Sequence, residues 1–243
     1  MISRLRYGFY YGLLSIDEQV LYKKIGITVS EMGSEVILQN FKRKELNKVL
    51  IAIKYDNAEF FYWESEKSAL KGNMLLLQYR LENQEDVVVI LEKIRMERNK
   101  LIGAACVGKP FSAKEILYKI YQYMKENVTL GELEAMRPEC SKWIYDIEGV
   151  FIKKKAACLG ISLALNYICE YLHLSSILIT GTLFCNEKER YHGWNLVCID
   201  DEYYHFDLAK EIEMNTLDSM HYFMVTSDTL NDRNWSKIVY TQT

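Results

Sequence analysis

Apolar positions recur along the chain in two periods, one helical and one alternating, and they mark the expected elements. Ser15, followed three residues later by Glu18, opens a helix signal carried by Val20, Leu21 and Ile25. Lys42 to Tyr55 places Leu46, Val49, Leu50 and Ile53 on one helical face. Asn83 is the N-cap of a long helix through Val87, Ile90, Leu91 and Ile94, running to about Cys106. Ser112 with Glu115 repeats the capping pattern ahead of Ile116, Leu117, Ile120, Tyr121 and Met124. Runs of strand length stand at 34–39, at 58–63 (AEFFYW) and at 73–81.

The pattern then changes. Gly108, Lys109 and Pro110 interrupt it, and 129–149 reads as irregular, broken by Gly131, Pro138 and Gly149. A helix is expected from about Ala157 to Leu172. Strands follow at 175–184, 193–199 and 203–208, with Glu202 in the tight turn between the last two, and a final apolar segment at Tyr222–Val225. Mixed elements, then a helix, then consecutive antiparallel strands predict an α+β fold. The expected organisation is an N-terminal α/β extension over 1–110 and a core over 111–243, a continuous fold with a soft boundary near 110 and no linker composition.

Composition narrows the function classes. At 243 residues and 49% apolar content the chain can bury a sizeable core. Its 30 basic and 33 acidic residues give a net charge of -3, so the general basic footprint of a nucleic-acid partner is absent. No run nears the ~18 apolar residues of a membrane span. The short stretch Tyr7–Leu14 has no cleavage site behind it, so no membrane association and a cytoplasmic location are expected. The six cysteines (Cys106, Cys140, Cys158, Cys169, Cys185 and Cys198) show no CxxC spacing and read as reduced thiols. No phosphate-cradling glycine loop, calcium loop or histidine cluster with ligand spacing occurs, so neither a cofactor nor a metal is expected.

The candidate chemistry lies in the last third. Cys158 follows three lysines and opens an apolar helix; the helix dipole and the lysines both favour thiolate. His192, in RYHGWNLV, stands at the entrance of a strand, where an imidazole can take a proton from a thiol and return it to a leaving group. Asp207 lies fifteen residues further on, across an acidic turn. With the turn at 201–202, residue 196 faces 207 and His192 falls four residues beyond direct register, so a bulge or a longer loop would have to close the gap. His205, two residues before Asp207, reads as a cross-strand surface histidine, and Cys169 as core behind the site. Cysteine, histidine and aspartate together make a nucleophile, a base and a group that orients the base.

These motifs resemble the bacterial transglutaminase-like cysteine protease superfamily. The resemblance rests on Cys158 with Gly160, on His192 with Trp194 and Asn195, and on the aromatic strand ending in Asp207. DNAEFFYW (56–63) and KIYQYMKENV (119–128) extend it toward the N-terminus. It implies a papain/transglutaminase-like core, a Cys158–His192–Asp207 triad and a thioester intermediate. It further implies a peptide or protein substrate and, for transamidation, an amine acceptor. Cys158 N–H is the natural oxyanion donor, with Trp143 and Tyr145 as candidates for the second; Trp194 is expected to pack near the histidine and counts with them as a substrate-side residue. Leu159 and Ile161 depart from the family's usual residues after the cysteine, as do Ala209 and Lys210 after the aspartate. These departures motivate the alternative, an inactive module of the same fold that binds peptides or proteins.

Overall fold

A computed structural model describes residues 2–39, 41–108, 111–131, 142–185, 188–215 and 220–235. The chain divides into two compact units, Met1–Ile94 and Arg95–Thr243. The division falls inside a helix; Lys109 and Pro110 lie outside the described residues.

In the first unit, α1 (Phe9–Gly12) leads into α2 (Ile16–Ser30), whose start is fixed by the Ser15/Glu18 capping box. β1 (Glu35–Ile37), α3 (Arg43–Asp56), β2 (Ala69–Lys71) and β3 (Met74–Leu76) follow, and the strands form an antiparallel sheet in the order β1-β3-β2. The run 58–63 is not a strand. Ala58–Phe60 form a 3-10 turn, and Phe60, Phe61, Tyr62 and Trp63 are all buried. A strand would have sent alternate side chains to opposite faces. The turn instead buries four consecutive aromatic side chains. The run at 73–81 contributes only three strand residues.

α4 (Gln84–Ala105) starts where Asn83 Oδ1 accepts Asp86 N–H at 2.9 Å and continues into the second unit. There α5 (Ala113–Asn127) begins at the Ser112/Glu115 capping box and buries Leu117, Ile120, Tyr121 and Met124 along one stripe. β4 (Thr129–Leu130) pairs in parallel with β5 (Lys155–Ala156), after a 3-10 turn at Lys142–Tyr145 and a π-helical turn at Gly149–Lys153. Pro138 and Cys140 lie outside the described residues.

α6 (Cys158–Tyr171) is apolar on nearly every side and is the buried helix of this unit. Behind it lies an antiparallel sheet of β6 (Ser176–Cys185), β7 (Lys188–Ile199), β8 (Glu202–Phe206) and β9 (Arg233–Trp235), in the order β8-β7-β6-β9, with α7 (Leu208–Met214) following β8. This is the α+β class that the element order predicts. Among the described residues no helix is long and apolar enough to cross a membrane.

The β7–β8 hairpin differs from its sequence reading. Ile199 pairs with Glu202, so the turn is Asp200–Asp201, both at positive φ (53° and 63°). Two left-handed residues match the twist of a two-residue hairpin, and aspartate is among the side chains that tolerate that region. Glu202 is therefore a strand residue. The pairing of Asn195 with Phe206 places His192 within two residues of Asp207's register, without a bulge.

Candidate active site

Cys158 occupies the first residue of α6 and is 7% exposed. Its N-terminal neighbour Ala157 is extended, supplies no side-chain cap, and donates its N–H to Ile144 O at 2.8 Å. The first turn of the helix holds no acidic residue. That contact brings the 142–146 segment against the helix start. A Cβ at Gly160 would stand 2.8 Å from Ile144 O and 3.1 Å from Asp146 N, so only glycine admits this backbone two residues after the cysteine. Trp143 and Tyr145, on the same segment, are half-buried. Of the three lysines before Cys158, Lys153 reaches Glu148 (3.6 Å) and Lys154 reaches Glu97 (3.7 Å), so carboxylates offset part of their charge.

α6 packs on β7. A Cβ at Gly193 would lie 3.8 Å from Leu159 Cα, and Asn195 Nδ2 donates to Ser162 O at 2.9 Å and to Asn166 Oδ1 at 2.8 Å. Cys158 and His192 each precede, in sequence, one member of the Leu159–Gly193 backbone contact. Alternation along β7 puts His192 and Trp194 on the opposite face from Gly193 and Asn195.

On that face the structure joins His192 to Asp207. Nε2 lies 2.8 Å from Oδ2 and 3.0 Å from Oδ1, with both residues at most 2% exposed. The carboxylate selects the Nε2–H tautomer, leaving Nδ1 as the ring's basic nitrogen. Asp207 also caps α7, accepting Lys210 N–H on Oδ1 at 3.0 Å, and Arg233 Nη1 lies 2.5 Å from Oδ2. Burial alone would push its carboxyl up. His192, Arg233 and the Lys210 amide outweigh burial and hold it below the ordinary carboxylate value.

Trp194 is fully buried and stacks on His192, with ring centroids 5.9 Å apart and planes 19° apart. Its indole N–H, the only donor it has, goes to His205 Nδ1 at 2.9 Å. Trp194 therefore packs the imidazole and has no donor left for a substrate oxygen. His205 is not a surface residue: it is 1% exposed. Its Nε2–H is within 2.9 Å of Ser227 Oγ. Burial first, then the Arg233 charge, push it down to about 4, so it is neutral at neutral pH. Cys169 is fully buried and its thiol is pushed up to about 12, which removes it as a nucleophile.

The sequence pattern assigns no role to Arg233, Asp232 or Trp235. The cue available was the alternation Arg233–Asn234–Trp235, which sends arginine and tryptophan to one strand face. No local chemistry tied that short strand to residue 207. Among the described residues no group of three or more histidine, cysteine or acidic side chains is placed to hold a metal ion.

No protein-family model matches the chain, and no curated protein does. Among solved structures, the chain is similar to a protein described as a TGase (15% identity, 77% of this chain and 53% of that one, TM-score 0.43). It is also similar to a candidate cysteine protease from Cytophaga hutchinsonii (13% identity, 64% and 52%, TM-score 0.38). The chain thus spans about half the length of each.

Proposed function

We propose that the protein is a thiol-dependent acyl transferase of the transglutaminase-like, cysteine-protease type, acting on peptide or side-chain amides. The observation that carries this reading is the buried His192–Asp207 pair, whose histidine stands on the strand that meets α6 at Leu159, the residue after Cys158. Cys158 attacks the amide carbonyl, its proton passing to Nδ1 of His192. The C–N bond breaks as His192 returns that proton to the departing amine, and a thioester remains. Water, or a second amine, attacks the thioester and gives its proton to His192, and the thiolate leaves. Asp207 holds the ring and stabilises the imidazolium. Cys158 N–H, at the start of α6, is one oxyanion donor; Trp143 or Tyr145 supplies the other.

The test is cysteine-resolved alkylation with iodoacetamide between pH 5 and 9, read by peptide mapping, on wild type and His192→Ala. An ordinary thiol titrates near ~8.5, and an imidazole-paired one well below 7. Selective reaction of Cys158 in acid, lost in His192→Ala, is the expected result. Once a substrate is found, Cys158→Ala abolishes turnover and Asp207→Ala leaves a small residual rate.

One observation favours the second reading, a binding module. Cys158 and His192 are only 7% and 2% exposed, so little of the pair is open to a substrate. An inert Cys158 would select that reading.

A further inference from the structure

Arg233 has a side chain of 0% exposure, and each of its three guanidinium nitrogens donates to a carboxylate. Nη1 meets Asp207; Nε and Nη2 hold the two oxygens of Asp232 at 2.7 and 3.1 Å. Its Cζ lies over the rings of Trp194 (5.0 Å) and Tyr222 (5.2 Å). The same Trp194 stacks on His192. The guanidinium therefore cannot rotate without disturbing the carboxylate, the indole or both.

The charge count matters as much as the geometry. Asp207, Arg233 and Asp232 sum to one net negative charge, the amount that balances one imidazolium. Arginine on Asp207 alone would cancel the carboxylate that His192 needs. Asp232, whose side chain is 31% exposed, restores it from the far side. The other groups around Asp207 contribute little charge. His205 on β8 is neutral, and burial pushes the phenols of Tyr121 on α5 and Tyr222 upward, so both stay protonated. On α7, Glu211 is paired with Lys125 at 3.2 Å and accepts Tyr222 N–H, and Lys210 meets Asp207 through its amide while its ammonium pairs with Glu213.

We propose that Arg233, balanced by Asp232, is a positioning residue for acyl transfer: it fixes the Asp207 carboxylate on His192 and sets the net charge that the imidazole feels. This rests on the reading of Cys158 and His192 as nucleophile and base.

The experiment measures the pH at which Cys158 alkylation is half-risen, in wild type, Arg233→Gln, Arg233→Lys and Asp232→Asn, with circular dichroism to confirm folding. Removing the cation leaves two carboxylates, disfavours thiolate, and moves the half-rise up by about one pH unit. Removing Asp232 has the opposite sign and moves it down. Arg233→Lys keeps the charge, and so the half-rise, but loses the fork; alkylation slows several-fold. A purely structural arginine would not give shifts of opposite sign. If Arg233→Gln fails to fold, Asp232→Asn decides alone, since its residue is partly exposed. An acid-reactive, His192-dependent Cys158 whose half-rise is unmoved by Asp232→Asn overturns the role of Arg233 and leaves the nucleophile standing. A wild-type Cys158 with no acid reactivity overturns both.

Discussion

Gly160 lies in the first turn of α6, where helix propensity favours alanine by about 1 kcal/mol. Sterics reverse the sign. The added methyl would meet backbone oxygen at 2.8 Å, and that carbonyl is already held by Ala157 N–H. Gly160→Ala is expected to lose about 1–3 kcal/mol in urea denaturation. Gly103→Ala, on α4 with nothing within 4 Å, is the control and should gain up to about 1 kcal/mol. A neutral Gly160→Ala would mean that the 142–146 segment is not pressed on the helix. His205 makes a second prediction. The unfolded chain protonates it near the ordinary 6.5, the folded chain only near about 4. Its stabilising contribution is therefore complete above ~6.5 and is lost as pH falls toward 4, by up to ~3 kcal/mol. In His205→Gln this part of the acid slope should vanish from denaturation midpoints taken between pH 4 and 7. At this scale the sequence was informative where a residue's role is local, as in the two serine capping boxes and Cys158 at a helix start. It misplaced His205 on the surface, because its burial comes from Trp194, Trp235 and Ser227, which no local pattern brings to it.

The β7–β8 hairpin shows how an element's register decides a site. A turn at 201–202 would leave His192 four residues out of register with Asp207; the observed turn at 200–201 leaves two, a diagonal within side-chain reach. Alternation within each strand is the same in both cases, so hydrophobic pattern could not choose between them. The choice lay in turn chemistry, where two adjacent aspartates can both take positive φ. Left-handed aspartates are less favourable than glycine, and the pair adds like-charge repulsion. Asp201→Gly is expected to raise stability by about 0.5–1 kcal/mol while leaving Cys158 alkylation unchanged. A loss of stability would show that Asp201 makes an interaction worth more than its strain. The aromatic run at 58–63 misled for a related reason: β propensity reports that a side chain wants burial, not which backbone delivers it.

At the scale of the molecule, every group of the candidate site belongs to the second unit, yet the groups lie between residues 143 and 235 of the chain. The α+β order was legible because successive strands carry their own patterns. β9 was not, because an alternation of three residues is too short to mark a strand, and their position is set by pairing with β6 at Gly181, Thr182 and Leu183. That short strand nevertheless covers the β6 edge, brings Arg233 to Asp207, and sets Trp235 edge-on to Trp194 (5.7 Å, 90°). A chain ending at Asn231 would expose the β6 edge and leave Asp207 without its arginine. We expect it to melt well below a chain ending at Trp235, by several degrees, and to self-associate in light scattering through the bared strand. Its Cys158 should also lose selectivity in acid, because a carboxylate without the Arg233 clamp no longer holds the imidazole in one orientation. Equal melting and equal alkylation in the two chains would mean that the sheet is complete without β9, and that the site is set by α6, β7 and β8 alone.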